Sequence, residues 1–200
     1  MHSVIDDFLP KDVFKRIQKS ICFNDQWSWY FGGNVTYTDD VLDDTNDETY
    51  YVEGKQETVD LEHSNSNIYG SRILWNRKVQ PWFLNNNITP DDLQIDPFVH
   101  IIKPLWDEIN PDVGMMRVKV NFYPYVGPEI IEHQWHLDYE FPHWGGLYSL
   151  NTCDGYTMLS DGTKIDSIEN RMLVFNAGDY HKSSTSTDSK GRFNINFNWI

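Results

Sequence analysis

Two residues in the second half of the chain, His136 and Asp138, are spaced so that they can bind one metal ion together. Side chains two positions apart on an extended chain point to the same face. An imidazole and a carboxylate suit iron(II), and a second histidine from another strand would complete a set of three ligands that leaves three coordination positions open. His181, 45 residues after His136, is the candidate for that third ligand.

Arg192 follows His181 by 11 residues and could bind a carboxylate beside such an ion. A guanidinium matches a carboxylate with two parallel hydrogen bonds. The spacing of His136 and Asp138 has little weight alone, because about one such pair is expected by chance in a chain with seven histidines. The order of all four residues and their positions within predicted strands carry the prediction.

Other arrangements of the same residues remain open at this point. His136 and Asp138 could form a hydrogen-bonded surface pair, with His181 capping a turn. Two further histidines are weaker ligand candidates, because His133 has the opposite parity to Asp138 on an extended strand and His143 lies in a predicted loop.

From residue 116 to the end, the sequence has the two-residue period of β-strands. Polar and apolar positions alternate between Arg117 and Tyr123, and again from Arg192 onward. Short strands at this spacing indicate a sandwich or a jelly-roll barrel, and two strands with polar faces indicate a polar interior. Further strands are predicted at 134–139, 146–151, 156–159, 164–165 and 172–175, with turns at Asp154-Gly155, Asp161-Gly162 and Ala177-Gly178-Asp179.

The first half of the chain contains two predicted helices and one aromatic strand, at 27–31. The second helix has Asp96 as its cap, and Pro104 should kink it or divide it into two short helices. The first helix begins at Pro10 and should cover a sheet with an apolar stripe of Val13, Phe14, Ile17 and Ile21.

The length and charge of the chain limit its organisation and partners. Its 200 residues suffice for one domain with a buried core, and we predict that residues 1–115 support a barrel formed by residues 116–200. A net charge of −14 disfavours nucleic acid and anionic membranes as partners. Ten carboxylates and one lysine lie within residues 38–62. This composition favours a solvated loop, and the alternative is a lid that selects a cationic or neutral peptide.

Cys22 and Cys153 are the two cysteines, a number that excludes a disulfide scaffold. The first 12 residues have no basic start, apolar run or cleavage signal, and no apolar stretch approaches the ~20 residues that would span a bilayer. We therefore expect a cytoplasmic protein with reduced thiols.

Several short segments of residues 116–200 carry a family resemblance. They are Asn121-Phe122-Tyr123-Pro124, His136-Leu137-Asp138, Leu147-Tyr148-Ser149-Leu150-Asn151, Asn151-Thr152-Cys153-Asp154-Gly155-Tyr156, Asn170-Arg171-Met172-Leu173-Val174-Phe175, His181 and Arg192-Phe193-Asn194-Ile195-Asn196-Phe197. Together they resemble the Fe(II)/2-oxoglutarate dioxygenases, in the prolyl 4-hydroxylase-like branch and among small members encoded by tailed phages, for which the host cytoplasm is the expected location. The first half resembles the supporting elements of that branch only loosely.

The resemblance implies a mainly β (α+β) fold with a double-stranded β-helix core, of the jelly-roll or cupin-like kind, and supporting helices. It implies that His136, Asp138 and His181 bind Fe(II), with 2-oxoglutarate and O2 as cosubstrates and ascorbate as a further reductant. Arg192, where much of the branch has lysine, would bind the distal carboxylate of 2-oxoglutarate. The other implied cosubstrate contacts are Tyr123, Asn194 and Tyr148, although Ser149 is an alternative to Tyr148 for the inward position.

The implied activity is hydroxylation of an unactivated C–H bond. A prolyl residue in a peptide or protein is the first choice of substrate on family grounds, followed by free amino acids and other small metabolites. Two other classes of function remain open. One is a non-catalytic β-helix module that binds a ligand or builds an assembly, and the other is a zinc hydrolase that uses His133, His136 and His181. Neither needs a cation at Arg192, and the sequence does not predict an oligomeric state.

Overall fold

The structure is a computed structural model and describes residues 1–32, 50–52, 55–57, 69–77, 93–109 and 114–200. Its helices are α1 (Lys11–Cys22), a 3₁₀ helix (Pro97–Ile102) and α2 (Lys103–Ile109). No helix within the described ranges is long and apolar enough to cross a membrane. The strands are β1 (His2–Ile5), β2 (Tyr30–Gly32), β3 (Tyr50–Val52), β4 (Lys55–Glu57), β5 (Tyr69–Arg77), β6 (Leu93–Ile95), β7 (Met115–Pro124), β8 (Trp144–Ser149), β9 (Cys153–Leu159), β10 (Lys164–Ser167), β11 (Met172–Asn176), β12 (His181–Ser183) and β13 (Gly191–Trp199).

Eight of the described strands form one antiparallel sheet, in the order β1-β11-β8-β13-β7-β5-β2 with β6 paired to β5. A smaller antiparallel sheet has the order β10-β9-β12, and β3 pairs with β4. Leu159 and Ile165 of the small sheet pack against Leu173 and Phe175 of the large one, so the two sheets face each other as the walls of a barrel. The mainly β architecture predicted from the alternating pattern is confirmed.

The outer face of the large sheet is apolar and is covered by the helices. Phe14, Ile17 and Ile21 of α1 are buried in one cluster with Ile195 and Phe197 of β13. These α1 positions are three and four residues apart, so they form one helical stripe. Burying each such side chain contributes roughly 1.5–3 kcal/mol of stability relative to leaving it exposed. This burial keeps the apolar face of the sheet against the helices and the other face toward the barrel interior.

The inner face of β13 is polar and lies against the polar face of β7. Because side chains alternate along a strand, every second residue of each strand points into the barrel. The facing pairs are Arg192 with Tyr123, Asn194 with Asn121, Asn196 with Lys119, and Asn198 with Arg117. One wall of the barrel interior therefore offers polar groups and cations, whereas the opposite part is apolar.

The helix predictions are confirmed. Helix α1 starts directly after Pro10, and its predicted apolar stripe faces the sheet. The second region divides into the 3₁₀ helix and α2, with Pro104 at the second position of α2. Asp96 caps this region, because its Oδ1 accepts a hydrogen bond of 2.8 Å from the backbone N–H of Phe98.

Two local predictions are wrong. Residues 134–139 do not form a strand, because the chain around them makes only isolated bridges, to His181 of β12 and to Ser184 directly after it. Asp154-Gly155 is not a turn but part of β9. The predicted strand at 27–31 is shorter and shifted, as β2. Most of the predicted acidic loop, residues 38–62, lies outside the described residues, and the division of the chain at residue 115 stays a prediction.

Candidate metal centre

The side chains of His136, Asp138 and His181 converge at one point on the inner side of the barrel. Their ligand atoms all lie within 4.8 Å of one another. Two imidazoles and one carboxylate are the donor types of an open three-ligand iron(II) site. The structure thus brings together the three residues that the sequence singled out, from a loop segment and from β12.

The backbone explains why the two histidines lie side by side. His136 and His181 form an isolated antiparallel bridge, in which each backbone N–H donates to the other residue's carbonyl oxygen, at 2.9 and 3.0 Å. A second bridge joins Glu132 to Ser184. Between the bridges, the loop segment has one residue more than β12, which is the arrangement of a β-bulge.

The bulge also turns His133 into the barrel. The backbone N–H of His133 donates to the carbonyl oxygen of Ser183, and its Nδ1 lies 2.7 Å from Ser183 Oγ. His133 and His136 therefore face the same way although they are three positions apart. His133 is not part of the ligand group, as its weaker candidacy predicted, although the parity argument behind that prediction assumed a continuous strand.

Local hydrogen bonds orient both imidazole ligands. Nδ1 of His136 lies 3.2 Å from the carbonyl oxygen of Gln134, and Nδ1 of His181 lies 3.0 Å from that of Asp179. A carbonyl oxygen only accepts, so Nδ1 carries the proton in each of these bonds. The unprotonated Nε2 atoms are then available for a metal ion.

Three side chains hold the Asp138 carboxylate. Arg117 Nη2 donates to Oδ1 at 2.8 Å, and the Nδ2 atoms of Asn198 and Asn196 donate to Oδ2 at 2.8 and 3.2 Å. Burial by itself would raise the pKa of Asp138, but the Arg117 cation and the Asn198 hydrogen bond hold that pKa well below its ordinary value. The carboxylate is therefore ionised, as metal binding requires.

Arg192 lies fully buried on β13, with 1% of its surface exposed. Its Nε donates to Ser167 Oγ at 3.0 Å, its Nη2 to Thr157 Oγ1 at 2.7 Å, and its Nη1 to the carbonyl oxygen of Ser184 at 3.3 Å. No carboxylate of the described residues pairs with it. A buried cation without a counter-ion is costly, so this position suits an anionic ligand.

Gly155 makes room for the Arg192 side chain. A β-carbon at this position would lie 2.9 Å from Arg192 Cδ and 2.7 Å from the carbonyl oxygen of Thr185. Any larger residue would therefore displace either the guanidinium or the backbone. The sequence pattern predicts a turn at Gly155, whereas its role here is close packing inside a strand.

Tyr123 and Asn194 lie beside Arg192 on the inner face. The Arg192 guanidinium carbon is 5.7 Å from the centre of the Tyr123 ring. Burial raises the pKa of Tyr123, although the Arg192 cation acts in the opposite direction. Asn194 accepts a hydrogen bond from Asn121, and its own buried Nδ2 lies near the Tyr123 hydroxyl but makes no hydrogen bond of normal geometry within the described residues. A buried donor without an acceptor suits a ligand oxygen.

Tyr148 does not line this site, which corrects the prediction. It lies on the outer face of β8, in contact with the ring of Phe14 from α1, and its hydroxyl donates to Asn170 Oδ1 at 2.6 Å. Ser149 is opposite Asn194 in the register and shares its inner face. A shift of one residue along a strand exchanges its two faces, and the sequence did not decide between the two residues.

The Tyr148→Phe substitution should separate stability from ligand binding. Removing the hydroxyl deletes one buried hydrogen bond, while Asn170 Oδ1 keeps the bond that it accepts from the Leu9 backbone. We expect the free energy of unfolding in urea to fall by about 1 kcal/mol. Calorimetric titration of 2-oxoglutarate into the Mn²⁺-loaded variant should give wild-type affinity. Weaker binding with unchanged stability would contradict this assignment of Tyr148.

His133 should make the stability of the metal-free protein depend on pH. Burial, followed by the nearby Arg192 and His136, lowers the pKa of His133 to about 4, against 6.5 ordinarily. Between pH ~4 and pH ~6.5 the unfolded chain binds more protons at this residue than the folded chain does. The free energy of unfolding is therefore highest above pH ~6.5 and decreases as the pH falls to ~4. For His133 the loss of unfolding free energy should amount to roughly 2–4 kcal/mol. Burial likewise lowers the pKa of His136 to about 4, so His136 adds to this loss.

The matched variant is His133→Asn, whose amide can keep the hydrogen bond to Ser183. Urea unfolding at several pH values between 4 and 7 should show a slope reduced by up to one proton relative to wild type. An unchanged slope would show that His133 is not buried as a neutral base.

The zinc arrangement that used His133 is not the one that the structure forms. Among the described residues, the group of metal-binding side chains is His136, Asp138 and His181, and His133 is not part of it. His133 lies instead near both His136 and Arg192, with its ring centre 5.0 Å from that of Tyr123. The sequence did not predict this position of His133. It also did not predict the residues that hold Asp138, which are Arg117 and Asn198, or those that hold Arg192, which are Thr157 and Ser167.

Solved structures share this fold at low sequence identity. A prolyl hydroxylase of Trichoplax adhaerens, in complex with a peptide fragment of the hypoxia inducible factor oxygen degradation domain, matches with a TM-score of 0.62 and 14% identity, over 100% of this chain and 83% of that one. An oxidoreductase of the 2OG-Fe(II) oxygenase family from Burkholderia pseudomallei matches with a TM-score of 0.60 and 10% identity, over 99% and 84% of the chains. No family model and no curated protein matches the sequence.

The fold is therefore that of the 2OG-Fe(II) oxygenases, and the predicted double-stranded β-helix is confirmed. A Pseudomonas putida prolyl-4-hydroxylase also shares it, with a TM-score of 0.50 and 14% identity, over 99% of this chain and 91% of that one. The resemblance seen in the motifs thus extends to the fold of the described residues in both halves of the chain.

Proposed function

We propose that this protein is an Fe(II)- and 2-oxoglutarate-dependent hydroxylase. The observation that carries the proposal is the combination of two sites in one barrel. Three ligand atoms lie within 4.8 Å of one another, and a buried arginine without a carboxylate partner among the described residues shares the same interior. A metal-binding module would need the first site only, whereas a dicarboxylic cosubstrate needs both.

The residues present fit the metal ion and the cosubstrate. His136, Asp138 and His181 would hold iron(II) through two nitrogen atoms and one carboxylate oxygen, which leaves positions open for other ligands. Arg192 would bind the distal carboxylate of 2-oxoglutarate, with Tyr123 beside it. The unpartnered Nδ2 of Asn194 offers a further hydrogen bond to a cosubstrate oxygen.

When bound, the iron supplies the activation of O2 that couples decarboxylation of 2-oxoglutarate to insertion of one oxygen atom into a C–H bond, with succinate and CO2 as the other products. The chain's own residues position and shield the reactants. Arg192 fixes the distance of the cosubstrate from the ligands, because it is itself held by Ser167 and Thr157. The apolar part of the interior, which includes Leu159, Leu173 and Phe175, limits the access of water.

The first choice of substrate is a prolyl residue in a peptide or protein. Two of the structures that share the fold are prolyl hydroxylases, and one of them was solved with a peptide bound. Free amino acids and other small metabolites are the second choice. Peptides with one central proline should gain one oxygen atom by mass spectrometry, and matched peptides with alanine should not. Faster succinate formation with free amino acids alone would favour the second choice.

The reaction class has its own test. Protein reconstituted with Fe(II), 2-oxoglutarate and ascorbate in air should form succinate, slowly without substrate, and His181→Ala should lose this activity. Folded protein that binds iron but forms no succinate would favour the non-catalytic module. Hydrolytic activity that needs zinc and no 2-oxoglutarate would favour the zinc hydrolase.

A further inference from the structure

We propose that Arg117 is a positioning residue for the metal centre, which fixes the orientation of the Asp138 carboxylate together with Asn198. The inference rests on the proposed function, because it assumes that Asp138 binds the metal ion. The proposal adds a residue outside the ligand set. It predicts that Arg117 strengthens metal binding even though it carries a positive charge.

The geometry is a closed ring of three side chains. Arg117 donates through Nη2 to Asp138 Oδ1 at 2.8 Å and through Nε to Asn198 Oδ1 at 3.1 Å. Asn198 in turn donates through Nδ2 to Asp138 Oδ2 at 2.8 Å. Each carboxylate oxygen thus has a donor, and the two donors hold each other.

The ring is buried and is built on neighbouring strands. Arg117 of β7 is 4% exposed, and Asn198, opposite it on β13, is fully buried. The side chain of Asp138 is 5% exposed. Packing leaves these side chains few alternative rotamers, so the orientation of the carboxylate is set before a metal ion binds.

Two physical effects of Arg117 on metal binding have opposite signs. As a positive charge close to the centre, it repels a divalent cation, so its removal would strengthen binding if charge were the main effect. As a donor, it fixes the ligand oxygen, so its removal would weaken binding if orientation were the main effect. Hydrogen-bond partners of metal ligands typically change metal affinity by about 10–100-fold, and we expect orientation to dominate.

Two substitutions of Arg117 distinguish these effects. Arg117→Gln removes the charge and shortens the donor, and Arg117→Lys keeps the charge but cannot bond Asp138 and Asn198 together, because an ammonium lacks the planar fork. Both variants should bind Mn²⁺ about 10–100-fold more weakly than wild type, measured by calorimetry on metal-free protein without 2-oxoglutarate. The visible spectrum of bound Co²⁺ should also shift, because the ligand geometry changes.

The matched control is Arg72→Gln. Arg72 on β5 is also buried and bonds one aspartate with two nitrogen atoms, through Nε to Asp96 Oδ2 at 2.9 Å and through Nη2 to Asp96 Oδ1 at 3.1 Å. It packs on Trp27 on the outer face of the sheet, away from the centre. This variant should lose stability comparably in thermal unfolding but keep wild-type Mn²⁺ affinity.

A third variant covers the case in which the Arg117 variants do not fold. Asn198→Leu keeps the bond between Arg117 and Asp138 and removes the bonds of the asparagine to both of them, together with its 3.4 Å contact with His143 Nε2. It should weaken Mn²⁺ binding by at least about 3-fold, less than the Arg117 variants do.

The Mn²⁺ affinities of the variants decide whether orientation of the carboxylate or charge repulsion is the main effect of Arg117. Unchanged or tighter Mn²⁺ binding by Arg117→Gln, or wild-type binding by Arg117→Lys, would overturn the positioning role and leave the proposed function intact. If the Arg117 variants do not fold, wild-type Mn²⁺ affinity of the Asn198→Leu variant would overturn the positioning role. Absence of Mn²⁺ binding by the folded wild-type protein would instead overturn the proposed function itself.

Discussion

Replacing Arg192 by methionine should abolish tight binding of 2-oxoglutarate and leave the metal site intact. The guanidinium is 1% exposed and already bonded to Ser167 and Thr157, so it is fixed before a ligand arrives. Truncating one partner of a buried charge pair costs about 2–5 kcal/mol of binding free energy. We therefore expect the dissociation constant to rise by roughly 30- to 5,000-fold.

The measurement is calorimetric titration of 2-oxoglutarate into Mn²⁺-loaded protein, since Mn²⁺ fills the site without turnover. Arg192→Lys is the matched control for charge and should bind with intermediate affinity, because a lysine cannot make the two parallel bonds of the guanidinium. Mn²⁺ affinity without 2-oxoglutarate should stay within a few-fold of wild type. Wild-type binding of 2-oxoglutarate by the methionine variant would remove Arg192 from the cosubstrate site.

Replacing His136 by alanine should cause a large loss of metal affinity. The three ligand atoms lie within 4.8 Å of one another. Removing the His136 imidazole leaves the metal ion with two protein ligands and a coordination position that water can fill. If a metal-binding free energy of about 10 kcal/mol is shared among the ligands, the loss is about 3 kcal/mol, or about 10²-fold in affinity. Calorimetry with Mn²⁺ on metal-free protein measures it.

His100→Ala is the matched control for this variant. His100 lies on the 3₁₀ helix, and its Nδ1 bonds the carbonyl oxygen of Pro97 at 2.8 Å, the same kind of local bond that His136 makes to Gln134. It is not part of the ligand group, so its variant should bind Mn²⁺ as wild type does. Equal affinities for all three proteins would show that the metal ion binds elsewhere.

The sequence predicted those parts of the fold and site that follow from a regular period. The alternation from Arg192 to Trp199 correctly separated the face toward α1 from the face toward the interior. The same reasoning paired His136 with Asp138, since a spacing of two keeps both on one side even in a segment that is not a regular strand.

The features that could not be predicted depend on irregular backbone or on distant partners. One extra residue between the bridges at Glu132 and His136 turned His133 inward, and no residue type marks that bulge. Tyr148 packs on Phe14, more than 100 positions away in the chain, so its face could not be read from its own strand. Arg117 was visible as a polar residue on a strand, but its bond to Asp138 depends on how the barrel closes.

The most direct test of the central claim is an anaerobic titration of the metal-free protein with Fe(II) and then with 2-oxoglutarate, monitored in the visible range. If His136, Asp138 and His181 hold the iron next to the Arg192 carboxylate site, a weak charge-transfer band of the cosubstrate chelate should appear with one equivalent of each. His136→Ala should lack the band because it lacks the iron, and Arg192→Met should show it only at high 2-oxoglutarate concentration. A folded wild-type protein that binds both ligands without the band would contradict the account.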